Sequence, residues 1–135
     1  MSTGPIEEQA KPVFWIGSSR EDLRQFPEEV CQAMGFALWQ AQLGRKHRDA
    51  KVLKGFGGAG VLEVVEDHDG NTYRAVYTVK FAGAVYVLHV FQKKSKKGIK
   101  TPVADLNVVR QRLKTAEEHH EERRAQEEKH RSREH

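Results

Sequence analysis

Three β-prone segments, residues 59–66, 72–81 and 85–92, follow one another with only short breaks between them. The first break, DHDGN, carries Asp69-Gly70, a pair suited to the positive φ angles of a tight hairpin turn. The second is AGA. Breaks this short leave no room for a crossover, so the segments are expected to form an antiparallel meander. Alternation then sorts the faces. In the middle segment Tyr73, Ala75, Tyr77, Val79 and Phe81 share the side expected to pack beneath helices. Arg74, Val76, Thr78 and Lys80 share the other, which puts Arg74 on an open face or its edge. In the third segment Tyr86, Leu88 and Val90 oppose Val85, Val87, His89 and Phe91. Both sides are apolar, the mark of a central strand covered on both faces.

Upstream, VFWI (residues 13–16) is a short β-prone segment ended by Gly17. Ser18 with Glu21 three residues later has the spacing of a capping box and predicts a short helix to about Gln25. Pro27 would break that helix but suits the first turn of another, expected over residues 27–43 and stopped by Gly44. Its apolar stripe is Val30, Met34, Ala37, Leu38 and Ala41, with Cys31 as a small buried hydrophobe. The two helices would form a hairpin. Thr101-Pro102 has the form of an N-cap and first-turn proline for a last helix striped by Leu106, Val109 and Leu113. Beyond Ala116 apolar residues almost vanish, so residues 117–135 are expected as a charged, solvated helix or a disordered tail. His119, His120, His130 and His135 then read as polar tail residues rather than metal ligands. Residues 1–12 read as a flexible arm. What is left, residues 13–116, is one α+β domain: an N-terminal helical hairpin on a small antiparallel sheet, with a C-terminal helix.

A chain of 135 residues suffices for one domain with a real core. Its formal net charge is +4, and the segment from Lys114 onward holds seven acids against six Lys and Arg. The positive excess therefore lies in the body, in residues 45–54 and 93–100. A basic body permits anionic partners. A single cysteine excludes an internal disulfide and fits a reducing cytoplasm. No apolar run approaches a membrane span and no signal-peptide pattern opens the chain, so no membrane partner is expected.

The stretch VYVLHVFQKKSKKGIKTP turns from strand to base-rich, delivering Lys93, Lys94, Lys96, Lys97 and Lys100 to one place. Either they solvate a loop or they meet phosphate. The other basic run, RKHRDAKVLKGFGGAG, contains Lys51 and Lys54, and four glycines after Lys54 preclude regular structure there.

Taken in order, Leu53-Lys54-Gly55, a strand bearing Glu63, YRAVY, LHVF, Lys93-Lys94 and Pro102 before a last helix resemble the RelE/HigB-like toxins. More narrowly they resemble the phage-derived HigB-like branch of type II toxin–antitoxin systems, over roughly residues 13–113. The glycine-rich loop, Ser95 where that pattern has threonine, and the charged tail depart from it. The resemblance implies a RelE-like α+β toxin that cleaves mRNA, often on the ribosome, with no cofactor. It also implies a cognate antitoxin, frequently a helix-turn-helix DNA-binding protein, with operator DNA bound only through the complex. Two other readings stay open: a ParE-like gyrase-inhibiting toxin, and a non-catalytic module that binds nucleic acid or an antitoxin.

RNA cleavage by attack of the 2′-hydroxyl needs a base, a group that holds the pentavalent phosphate, and an acid for the leaving 5′-oxygen. The body of the sequence shows no Asp, Glu and His cluster of metal-site type, which favours a metal-independent route through cations. Arg74 is the first candidate, because its planar fork matches phosphate oxygens. Its alternative is an ion pair with Glu63, and the two are compatible if Glu63 orients it. Lys54 would be the base or a surface cation. Lys93 and Lys94 leave the strand on opposite sides, one toward the site. His89 would be a general acid or a hydrogen-bonded core residue. Phe91 would stack a base or pack in the core. Lys51, Lys96, Lys97 and Lys100 would touch the RNA backbone or solvent. Trp15 and Trp39 read as core or antitoxin-facing.

Overall fold

The computed structural model describes residues 9–93 and 100–134. Five strands form one sheet: β1 (Val13–Trp15), β2 (Ala50–Val52), β3 (Val61–His68), β4 (Asn71–Thr78) and β5 (Val85–Lys93), in the order β1-β5-β4-β3-β2. Helices α1 (Ser19–Arg24), α2 (Glu28–Gln42) and α3 (Val103–Glu134) complete the α+β architecture. The meander β3-β4-β5 is antiparallel as expected. The sheet as a whole is mixed, because β1 lies parallel to β5. The connection from β1 to β5 passes through both short helices and the meander, so a hairpin could not have set that pairing. Strand β2 lies within the basic run and is only three residues long, too short for its Ala-Lys-Val alternation to stand out, which is why the sequence reads there as loop.

Asp69 and Gly70 both adopt positive φ, 49° and 81°, and join β3 to β4 in a two-residue turn. That turn sets Glu63 opposite Val76 and Val65 opposite Arg74. Between β4 and β5 the register slips: Val76 faces His89 but Tyr77 faces Val87. Leu88 is thus an extra residue on β5, a β-bulge. Simple alternation separates His89 and Phe91 from Tyr86 and Leu88, and the bulge reunites them. Val85, Val87 and Val90 pack with one core cluster, whereas Tyr86, Leu88 and Phe91 pack with the other.

Both faces are covered. On one, Val30, Met34, Ala37, Leu38 and Ala41 of α2 meet Leu62, Val64, Ala75 and Tyr77. On the other, Val109 and Ala116 of α3 meet Val61, Val76, Tyr86 and Leu88. Each fully buried aliphatic side chain of this kind contributes about 1.5–3 kcal/mol. Strand β4 ends at Thr78, so Phe81 escapes the alternation and joins the α3 side. Cover by α3 also corrects the expectation of an open face: Arg74 is buried.

The capping box at α1 does not form. Ser18 Oγ donates instead to Asp22 Oδ2 at 2.8 Å, and no side chain caps the helix. Thr101 does not cap α3 either, because its hydroxyl is used elsewhere. Helix α3 runs without a break through the charged segment to Glu134. His119 lies within it and meets Tyr86, with 2.8 Å between Nδ1 and the phenol oxygen. Beside it, the His120 ring lies 5.4 Å from that of Phe81, and the Arg123 guanidinium caps Phe14 at 4.6 Å. These contacts extend the docked part of the helix past Ala116. Among the described residues no helix is long and apolar enough to cross a membrane.

Candidate functional site

Arg74 reaches the α3 side of β4 because β-strand alternation puts it on the same face as Val76. Its Nη1 donates to Glu63 Oε1 at 3.0 Å and to Thr101 Oγ1 at 3.4 Å. Thr101 Oγ1 in turn donates to Glu63 Oε2 at 2.8 Å. One carboxylate thus takes a cation on one oxygen and a hydroxyl on the other. Arg74 is 3 % exposed and Glu63 7 %, so this closed triangle is buried. Burial of opposite charges in such a place is tolerated only with this degree of mutual satisfaction.

Two residues along β5 lies the second group. His89 Nε2 is 2.7 Å from Asp105 Oδ1, and the His89 ring stacks on Phe91 with centroids 4.9 Å apart. Asp105 occupies the first turn of α3, where the helix dipole favours a negative charge. The other ring nitrogen, Nδ1, is buried and has no hydrogen-bond partner among the described residues. In this arrangement His89 is hydrogen-bonded and largely but not fully buried, and Phe91 is half-buried beneath it.

Lys93 follows on the same face, since Thr72 opposes it while Arg74 opposes Phe91. Its Nζ donates to the carbonyl of Lys100 at 3.0 Å, tying the end of β5 to the approach of α3. Lys100 itself is exposed. Lys94, Lys96 and Lys97 lie outside the described residues. Lys51 is exposed on β2, directly across from Glu63. Lys54 is exposed in the glycine loop and makes no hydrogen bond or ion pair among the described residues. Its loop is held indirectly: Arg110 of α3 lies 5.3 Å over the Phe56 ring.

Helix α3 therefore reaches each part of this face. Thr101, just before it, holds the Glu63–Arg74 pair; Asp105 holds His89; Arg110 holds the loop of Lys54. Arg112 donates from Nη1 to the Leu88 carbonyl at 3.0 Å, satisfying an oxygen at the bulge. The sequence reading missed these four residues in these roles. Thr101-Pro102 carries the stronger signal of a helix start, and a lone Asp or Arg on a helix face has none. The buried tyrosines are poor proton donors near neutrality. Burial pushes the Tyr77 phenol up to about 12 and raises that of Tyr86. Among the described residues no group of three or more His, Cys, Asp or Glu could hold a metal ion.

Comparison with known proteins follows from this geometry. Among curated proteins none matches this chain. One solved structure that resembles it is the toxin–antitoxin complex RelBE2 from Mycobacterium tuberculosis, 23% identical, with 64% of this chain and 94% of that chain covered and a TM-score of 0.43. The family of phage-derived Gp49-like proteins matches residues 21–114, which hold most of α1, all of α2, the meander and the first part of α3 with Arg74, His89 and Asp105. By that match, which spans most of its length, the chain belongs to the phage-derived Gp49-like family.

Proposed function

We propose that the chain is the toxin of a type II toxin–antitoxin system, of the HigB-like branch, and that it is a metal-independent endoribonuclease acting on mRNA in the cytoplasm, on or off the ribosome. The observation that carries this reading is the gathering of Arg74–Glu63–Thr101, His89–Asp105 and Lys93 on one sheet face under the start of α3. In this reading the 2′-hydroxyl attacks the neighbouring phosphorus and the P–O5′ bond breaks. Lys54 takes the proton from the nucleophile, and His89, released from Asp105, returns one to the 5′-oxygen. Lys93 and Lys94 hold the non-bridging oxygens. A phosphate oxygen replaces Thr101 as an acceptor of Arg74 Nη1, that 3.4 Å contact being longer than the one to Glu63, while Glu63 keeps the guanidinium in line. Lys51, Lys96, Lys97 and Lys100 follow the RNA backbone, and Phe91 offers a ring to a base. A cognate antitoxin, with a helix-turn-helix DNA-binding part, is the expected partner and the only route to operator DNA.

The test is to incubate the purified chain with end-labelled mRNA, with and without ribosomes, in excess EDTA, and to map the ends. Expected products carry a 2′,3′-cyclic phosphate or 3′-phosphate and a 5′-hydroxyl. Cleavage should fall at least a hundredfold in Arg74→Ala and in Lys54→Ala; the second variant alters an exposed residue and leaves the fold intact. An Asp105→Asn variant should keep cleavage but shift its pH profile. Intact RNA under every condition refutes the reading, and inhibition of gyrase supercoiling by the same sample would replace it.

A further inference from the structure

We propose that a groove beside the outer edge of β2, on the sheet face away from Arg74, docks an extended acidic segment of a protein partner. The groove encloses about 300 Å³ between the end of α2 and the start of the meander. Its floor is apolar, with Val52, Leu62 and Val79, and its rim carries Lys11, Arg45 and Lys46 with no carboxylate in the lining. Lys11 is anchored there: its N–H donates to the Gln42 carbonyl at 2.9 Å, and Gln42 Nε2 donates to the Lys11 carbonyl at 2.7 Å. The rim is thus a built feature of the fold.

Two further observations select the occupant. Strand β2 ends the sheet, with no strand on its outer side among the described residues. Leu53 N–H donates to the Val61 carbonyl, and Lys51 opposes Glu63, so the backbone of Val52 between them points to the free edge. An added strand would find that edge, while its alternate side chains enter the groove. Val52 is 41 % exposed, an apolar side chain left uncovered where such a strand would lie. The cationic rim then requires carboxylates on that strand. A nucleic acid would use the cations but neither the backbone edge nor the apolar floor.

The inference rests on the proposed reading only in supposing a protein partner, and its test is separate. The probe is a fluorescein-labelled decapeptide alternating valine and glutamate, titrated into the full chain by anisotropy, beside a valine–lysine peptide and a single-stranded oligouridylate. The acidic peptide should bind and the basic one should not. The double variant Arg45→Glu/Lys46→Glu and the single variant Val52→Asp should each weaken binding at least tenfold. Val52→Leu should retain it. All of these positions are exposed or at the rim, and circular dichroism checks that the variants fold. RNA cleavage, assayed in parallel, should be unchanged in every variant. Equal binding of the acidic peptide to wild type and the charge-reversed double variant overturns the proposal, as does its displacement by the oligouridylate. Loss of RNA cleavage as a property of the chain, with peptide binding intact, would remove the nuclease reading and leave the groove.

Discussion

Replacing Glu63 by Ala should be among the most damaging single changes in the protein. The side chains of Arg74 and Glu63 are 4% and 10% exposed, so solvent does little to screen the pair. Removing the carboxylate strands the guanidinium in a buried setting, and it removes the acceptor of the Thr101 hydroxyl. Breaking one side of a buried ion pair costs about 3–5 kcal/mol. At roughly 3–5 °C per kcal/mol for a domain of this size, the thermal midpoint should drop by about 10–20 °C. The reverse logic applies to the double variant Glu63→Leu/Arg74→Met. Two apolar side chains of similar volume need no partner, and such replacements are often neutral or stabilising by about 1–4 kcal/mol. Urea unfolding of the wild type, Glu63→Leu, Arg74→Met and the double variant closes a thermodynamic cycle. The expected coupling is at least about 2 kcal/mol. If Glu63→Ala costs under about 1 kcal/mol, or costs the same with methionine at 74, the pair is not the buried, mutually dependent unit described here. The double variant should also be inert toward RNA although well folded, which separates the pair's chemical part from its structural one.

Two further perturbations test other parts of the fold. Desolvation, a hydrogen bond with Asp49 and the charges of Asp49 and Asp67 push the Glu66 carboxyl from its ordinary 4.5 up to about 7. The folded state therefore holds the proton more tightly than the unfolded chain; stability is greatest below about 4.5 and falls as pH rises through about 7. Allowing for solvent screening, the loss is about 1 kcal/mol, and Glu66→Gln should flatten it in urea titrations at pH 5 and 8. Gly17 adopts φ 59°, and a Cβ there would come within 2.8 Å of Arg112 Nε. Gly17→Ala should cost about 1–3 kcal/mol and disturb the Arg112 bond to Leu88. The control Gly35→Ala, in a helix with nothing within 4 Å, should stabilise by about 0.5–1 kcal/mol, and a similar response at both positions would refute the packing argument.

The meander was legible because its information is local. Asp69-Gly70 determines a turn, and alternation on either side of it places Tyr73, Ala75 and Tyr77 beneath α2. The apolar stripe of α2 is legible for the same reason, since Val30, Met34, Ala37, Leu38 and Ala41 sit at helical spacing and are all buried. The parallel pairing of Val13 with Val85 was not legible, because nothing near either residue specifies a partner so far along the chain. The candidate site divides similarly. Arg74 and Glu63 could be paired from adjacent strands, and their 3.0 Å contact is the result. Thr101 and Asp105 could not be added, because their positions depend on where α3 lands. His119 and His120 show the same limit: in sequence they belong to a charged run, and only the docking of α3 brings them against Tyr86 and Phe81.

The supernumerary Leu88 makes the two ends of β5 differ in parity: odd positions serve one layer before it and the opposite layer after it. Straightening the bulge with Leu88 retained would restore strict alternation and carry the imidazole and the phenyl ring toward α2, whereas a one-codon deletion of Leu88 itself would leave both toward α3. Spacing, more than composition, decides which side of this sheet carries these rings, so single-residue insertions or deletions elsewhere in β5 should be far more disruptive than side-chain changes at the same positions.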